Sequence, residues 1–166
     1  MSLRWSAYGI AAAWFALDRA TKILVQANMQ REEVIAVIPG FFNLVFTRNR
    51  GVAFSLFANN DSEWRSFFLI GLTALVVAFV GSILWQTSPR GMAANRLSRL
   101  GLSLVLGGAL GNFYDRVADG AVTDFLDLYL GSYHWPSFNV ADSGLTVGVA
   151  LVFLDLWRSE RRKARD

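Results

Sequence analysis

A run of 20 residues without a charged side chain, Ser66 to Trp85, most constrains how this chain can fold. As an α-helix this run would span ~30 Å, the thickness of the hydrocarbon core of a bilayer. The composition agrees, because 54% of the residues are hydrophobic and only 17% are charged, against roughly 25% charged in soluble domains. We therefore predict an α-helical integral membrane protein.

Three further apolar runs predict a bundle of four transmembrane helices, at about 5–25, 66–85, 97–114 and 140–157. The first run begins like a secretory signal peptide, but no small-residue cleavage site follows it, so we interpret it as a retained helix. The third run is short and rich in glycine. Its Gly107 and Gly111 have the spacing that lets another helix backbone approach closely.

Positive charges predict the orientation of the bundle. They cluster before the first run, between the second and third runs, and after the fourth run: Arg4, Arg90, Arg96, Arg99, Arg158, Arg161, Arg162, Lys163 and Arg165. Positively charged loops stay in the cytoplasm, so we place both termini there. This topology also explains the net charge of +3 better than a nucleic-acid surface does, and we expect no nucleic-acid partner.

Two segments are predicted to lie outside the membrane. Residues 28–63 contain β-branched and aromatic runs at 34–38, 41–46 and 52–57, separated by turns at 39–40 and 49–51. This pattern predicts short strands in a small extracytoplasmic sheet at about 34–57. Residues 55–63 have the polar composition of a mobile loop. Within the loop 115–138, the pattern predicts a short helix at about 123–130. We treat residues 1–166 as one domain, with the sheet and this loop inserted between the helices.

Several kinds of chemistry are excluded by what the chain lacks. It has no cysteine, and His134 is its only histidine. A disulfide, a thiol nucleophile and a multi-histidine metal site are therefore excluded. A Ser-His-Asp triad would have to use His134, which we interpret as an interfacial residue beside Trp135. We expect no cofactor and no metal.

Asp124 and Asp142 lie where apolar runs meet the predicted outer surface. A carboxylate at the edge of hydrocarbon is costly unless it is paired or used. Two of them with no lysine between them suggest a pair that shares charge, which is the chemistry of an aspartyl protease. The structural alternative is capping: Asn139 and Asp142 have capping-box spacing, and Asp124 could start the short helix.

Several other polar residues each have a structural interpretation and a functional one. Asn112, Asp115 and Arg116 share a face at the outer end of the third helix. There Asp115 opposes the helix dipole and needs a partner, most simply Arg116. Asp18 and Lys22, four residues apart, form either a structural ion pair or part of a site. Asn49 lies in a predicted turn, where asparagine is ordinary, and Asp127 could belong to a solvated face.

Five motifs together resemble the bacterial lipoprotein signal peptidases, the signal peptidase II family. They occur in the family's order and span nearly the whole chain. The motifs are Asp18-Arg19-Ala20-Thr21-Lys22, Asn49-Arg50-Gly51-Val52-Ala53-Phe54-Ser55, Gly107-Gly108-Ala109-Leu110-Gly111-Asn112-Phe113-Tyr114-Asp115-Arg116, Val122-Thr123-Asp124-Phe125 and Phe138-Asn139-Val140-Ala141-Asp142-Ser143. The departures are modest: Arg19 replaces a frequent polar amide, and Arg50 and Val52 replace small residues.

The resemblance implies an inner-membrane aspartyl endopeptidase, active as a monomer among membrane lipids. It would remove the signal peptide of prolipoproteins, cutting before their diacylglyceryl-modified cysteine. By motif match, Asp124 and Asp142 would be the catalytic dyad. The site would be completed by Asn49, Asn112, Asp115, Arg116 and Asn139, with Asp18 and Lys22 as support from the first helix.

A hypothesis from another class is a small proton-coupled transporter that uses the two aspartates as relay carboxylates. The chain shows no repeated halves of the kind that many transporters have. Its acidic residues also gather near one face of the predicted bundle. Both features favour the peptidase over the transporter.

Overall fold

The computed structural model describes residues 3–51, 62–86 and 95–163, which form four helices and a small sheet. The helices are α1 (Leu3–Asn28), α2 (Ser62–Trp85), α3 (Arg96–Asp119) and α4 (Val140–Lys163). The four long helices predicted from the apolar runs are present, and each is longer than predicted because polar residues at its ends continue the helical backbone. Within the described ranges, Ser66–Trp85 and Val140–Arg162 are long and apolar enough to cross a membrane.

The sheet has four strands in the order β1-β2-β3-β4: β1 (Val34–Ile38), β2 (Phe42–Asn49), β3 (Val122–Leu130) and β4 (Tyr133–His134). All neighbouring strands are antiparallel. β1 and β2 confirm the first two predicted strands and their turn, where Gly40 has a φ of 84°. The predicted strand at 52–57 lies outside the described residues. So does the predicted loop 55–63, except for residues 62 and 63, which open α2.

The short helix predicted at 123–130 is wrong, because this segment is strand β3. Its backbone pairs with β2 in a register that places Asp127 opposite Asn43 and Asp124 opposite Thr47. The leucines at 126 and 130 have helical spacing, but the segment also carries Val122, Thr123 and aromatic residues that suit a half-buried sheet. Pairing with a distant strand outweighs the local pattern.

α3 is the central helix, and it is buried along most of its length against the other three helices. Its glycines make this possible. A Cβ atom on Gly107 would lie 2.6 Å from the carbonyl oxygen of Ala11 in α1, and one on Gly101 would lie 2.5 Å from that of Gly148 in α4. The predicted close approach of a second backbone at Gly107 is therefore confirmed.

Two apolar clusters fix the arrangement of the elements. The larger one fills the space between α1, α2 and α3, with Leu84 and Ala7 fully buried. The smaller one joins the end of α1 to the sheet through Val25, Phe46 and Phe125. This second cluster seats the sheet at one end of the bundle, where α3 ends and α4 begins.

Candidate active site

Asp124 and Asp142 are brought together where β3 meets the start of α4, and one residue binds them both. The side-chain amide of Asn139 donates to Asp124 Oδ1 at 2.7 Å. The main-chain N–H of Asn139 donates to Asp142 Oδ2 at 3.2 Å. Because a single asparagine reaches both carboxyl groups, the two acids belong to one small site, as the sequence predicted.

The carboxyl group of Asp124 is buried, with 2% of the residue exposed. A second amide, from Asn49, donates to its Oδ2 at 2.9 Å. Burial raises the pKa of Asp124 to about 6; the amides of Asn49 and Asn139 favour the ionised form, and the charge of Asp142 opposes it. An acid with a pKa near the working pH can both accept and donate a proton.

Asp142 takes part in capping α4 and also lies in the site. Its N–H donates to Asn139 Oδ1 at 3.0 Å, while its Oδ2 accepts the Asn139 N–H, which is the reciprocal pattern of a capping box. Its Oδ1 accepts a bond of 2.7 Å from the amide of Asn112. The capping alternative is therefore confirmed for Asp142 without removing it from the site. For Asp124 the alternative is wrong, because Asp124 lies within a strand.

A fully buried cluster of charges lies beneath this pair. Lys22 Nζ is 2.8 Å from Asp18 Oδ2, 3.0 Å from Asp115 Oδ2 and 3.1 Å from Asn112 Oδ1. Asp18 Oδ1 accepts a bond of 2.8 Å from the N–H of Ala141. The predicted ion pair of Asp18 and Lys22 is present, and it ties α1 to α3 and to the first turn of α4.

The interpretation that Arg116 is the partner of Asp115 is wrong. Asp115 contacts Arg19 and Lys22 of α1 and accepts the N–H of Thr123 at 3.1 Å. Consecutive residues on a helix point in different directions, so Arg116 cannot turn to the same side. Its guanidinium donates to the carbonyl oxygen of Asn112 at 3.2 Å and lies in the electrostatic field of Asp142 and Asp124.

Four residues of the site's surroundings were missed by sequence reasoning: Arg19, Gln26, Thr123 and Trp14. Thr123 is fully buried and accepts from Gln26 Nε2 at 2.7 Å, while its carbonyl oxygen accepts from Asn139 at 3.2 Å. The sequence did contain an indication for Gln26, because Gln26 follows Lys22 by four residues and therefore lies on the same face of the helix. Trp14 Nε1 donates to the carbonyl oxygen of Val140 at 3.1 Å, and nothing in its apolar run indicated that role.

His134 lies on the sheet and bonds to neither member of the aspartate pair. Its Nδ1 is 3.0 Å from both carboxylate oxygens of Asp127, and its ring stacks on Tyr129. Asp127 is only 7% exposed and also accepts from Asn43 at 2.8 Å, so the solvated-face interpretation of Asp127 is wrong. Among the described residues, no cluster of three or more potential ligands could hold a metal ion.

Known proteins match this chain in sequence and in fold over most of its length. A sequence model of the family described as signal peptidase (SPase) II matches residues 10–158. The chain is 50% identical over 162 residues to a lipoprotein signal peptidase of Solibacter usitatus, covering 98% of this chain and 96% of the relative. It is 43% identical over 157 residues to one of Geobacter metallireducens, covering 95% and 93%. A solved bacterial membrane enzyme superposes with a TM-score of 0.80 at 31% identity, covering 95% of this chain and 91% of that one.

Proposed function

Since this chain belongs to the signal peptidase II family and is a membrane endopeptidase of the aspartic type, we propose that Asp124 and Asp142 are its catalytic dyad. The observation that carries the proposal is Asn139, which donates one hydrogen bond to each carboxyl group. The substrates are bacterial prolipoproteins, and the cut falls before the diacylglyceryl-modified cysteine. The transporter hypothesis has no support from any of these relatives.

The two carboxyl groups act as a coupled pair that holds one proton between them at working pH. The ionised member removes a proton from a water molecule as that water attacks the scissile carbonyl carbon. The protonated member donates to the carbonyl oxygen, which gives a neutral tetrahedral intermediate. Proton transfer to the leaving nitrogen then breaks the C–N bond and releases the two peptides.

The neighbouring polar groups have separate tasks in this scheme. Asn49 and Asn139 hold the carboxyl group of Asp124 between two amides, while Asn112 holds Asp142. Arg116 lies close enough to both acids to stabilise negative charge in the site. Asp18, Lys22 and Asp115 contact none of the reacting atoms and position α1, α3 and α4 around the dyad.

All four helices cross the bacterial inner membrane, with both termini in the cytoplasm and the site near the outer leaflet. The distribution of polar groups supports this topology. The dyad and the sheet lie at one end of the bundle, whereas Arg96 of α3 and Arg158 of α4 lie at the other. α2 exposes 71% of Phe67 and 61% of Phe79, as lipid-facing side chains would be. The chain works as one domain and as a monomer, and its site is entered laterally from the lipid.

The decisive experiment is cleavage of a lipidated prolipoprotein by the purified chain in liposomes. We expect the wild type to cut, and Asp124→Asn and Asp142→Asn each to lose at least about a thousandfold in turnover, since each removes a required proton donor or acceptor. Asp127→Asn is the matched control, because Asp127 is also a buried aspartate of β3 but bonds to Asn43 and His134. Near-normal turnover by either dyad variant would contradict the proposed mechanism.

A further inference from the structure

A cavity of about 380 Å³ lies between α3 and α4 at the end of the bundle opposite the dyad. It is bounded by the first turn of α3, from Arg96, and by the last turns of α4, from Asp155 to Arg162. Asp142 and Arg158 are separated on α4 by about 24 Å at the helical rise. The cavity is therefore no part of the catalytic site, and its volume is within the range of ordinary ligand pockets.

Three arginines line this cavity, and the described part of the chain gives none of them a salt-bridge partner. Arg96 contributes from α3, and Arg158 and Arg162 contribute from α4. Within residues 3–51, 62–86 and 95–163, none of the three forms an ion pair. Arginine prefers to bind carboxylate or phosphate with two parallel N–H bonds. Three unpaired guanidinium groups around one cavity thus favour an anionic ligand.

The other polar groups of the cavity offset only part of this charge, because one acidic side chain faces three arginines. Asp155 is the only acidic residue among the described lining residues, and its Oδ2 already accepts from Ser98 Oγ and from Asn95 Nδ2 at 3.0 Å. Asn95 is the N-cap position of α3, yet its side chain makes no capping bond. The positive end of the α3 dipole adds to the field of the arginines.

We propose that this cavity binds the headgroup of an anionic phospholipid, with its phosphate held by Arg96, Arg158 and Arg162. The apolar part of the lining favours a lipid over a free anion, because Leu97 and Leu100 bound the same cavity and 39% of Leu100 is exposed beside it. Acyl chains can lie along these leucines while the phosphate faces the arginines. Basic pockets between helices at the cytoplasmic surface bind acidic lipid headgroups, and the inner-leaflet position rests on the topology proposed above.

The test compares lipid binding by the full chain and by two double variants of equal charge. Arg158→Gln/Arg162→Gln removes two cavity arginines. Arg4→Gln/Arg161→Gln is the matched control, since Arg4 stacks on Trp85 and Arg161 on Trp157, outside the cavity. Delipidated protein is titrated with phosphatidylglycerol or phosphatidylcholine in mixed micelles, and bound lipid is counted by native mass spectrometry. Inorganic phosphate and phosphatidylglycerol are also titrated in parallel and compared by thermal shift.

We expect phosphatidylglycerol to bind the wild type and the control with similar affinity. It should bind Arg158→Gln/Arg162→Gln about tenfold more weakly, because this variant loses one or two charge-assisted hydrogen bonds to the phosphate. Ser159→Trp, which fills the cavity without changing its charge, is expected to weaken binding similarly. Equal binding by both double variants would overturn the proposal, as would a thermal shift by phosphate equal to that by the lipid. Prolipoprotein cleavage in phosphatidylcholine checks the fold of every variant. A wild-type chain that cleaves but does not bind the acidic lipid would overturn this site and leave the proposed function intact.

Discussion

Asn139 and Asp142 hold each other by two hydrogen bonds, one from each main-chain N–H to the other's side chain. This arrangement fixes the Asn139 amide, because its Oδ1 accepts from Asp142 and only its Nδ2 is left to face Asp124. The start of α4 and the orientation of the proposed dyad are therefore set by the same side chain.

Replacing Asn139 by serine should separate these two roles. Serine is as good an N-cap as asparagine, so Asn139→Ser should keep the cap of α4. Asp124 and the carbonyl oxygen of Thr123 each lose an amide donor, and turnover should fall about tenfold or more. Asn139→Ala removes the cap as well and should cost a further ~1 kcal/mol of unfolding free energy. Turnover and thermal unfolding of both variants check this. Equal turnover of Asn139→Ser and the wild type would mean that the hydrogen bond from Asn139 to Asp124 does not contribute to turnover.

Gly107 should not tolerate a methyl group. A Cβ atom there would lie 2.6 Å from the backbone of Ala11, so Gly107→Ala must push α1 away from α3 at a cost of about 1–3 kcal/mol. Gly71→Ala in α2 is the control, because no atom lies within 4 Å of its added Cβ and alanine is the better helix former. Thermal unfolding should show a lower melting temperature for the first variant only. A drop of the same size in both would show that close packing at Gly107 is not the cause.

The helices and the pairing of Asp124 with Asp142 could be predicted from the sequence because both depend on local signals. A long uncharged run indicates a helix wherever it packs, and two aspartates at the ends of such runs stand out without knowledge of the fold. The strand β3 could not be predicted in this way. Its stability comes from pairing with β2, whose Asn49 lies opposite Val122 across more than 70 residues of intervening chain.

The partners of the buried charges were also beyond sequence reasoning. The spacing of Asp18 and Lys22 on one helix predicts their contact, because it is set by the helical repeat. The contact of Lys22 with Asp115 depends on how α1 packs against α3, and no pattern within either helix reports it. For that reason the sequence suggested the neighbouring Arg116 as the partner of Asp115.

The raised pKa of Asp124 should make the effect of Asp124→Asn on stability depend on pH. The pKa is about 6 in the folded chain, against 3.8 for an aspartate side chain in water, so the folded state binds the proton more tightly. The stability that this proton contributes is present below pH 4 and is lost as the pH rises towards 6. Asp124→Asn should therefore become more stable relative to the wild type over this window, by up to ~3 kcal/mol for about two pKa units. Melting temperatures of both proteins from pH 4 to 8 test this, and a difference that does not change with pH would contradict it.

Lys22→Met should destabilise the chain strongly, because Lys22 is the salt-bridge partner that the described residues give Asp18. Asp115 keeps its contact with Arg19, but the described contacts of Asp18 reduce to the N–H of Ala141. Removing one partner of a buried pair costs about 3–5 kcal/mol.

Adding Asp18→Asn to this variant removes the unpaired negative charge and keeps an oxygen that can accept from Ala141, so the double variant should regain much of the lost stability. Its turnover should stay low, since Asn112 Oδ1 loses Lys22 and keeps only the bond of 3.3 Å from Asn139, which holds the amide that faces Asp142 less firmly. Thermal unfolding and cleavage of the two variants measure these effects separately. Recovery of both together would mean that Lys22 serves folding alone.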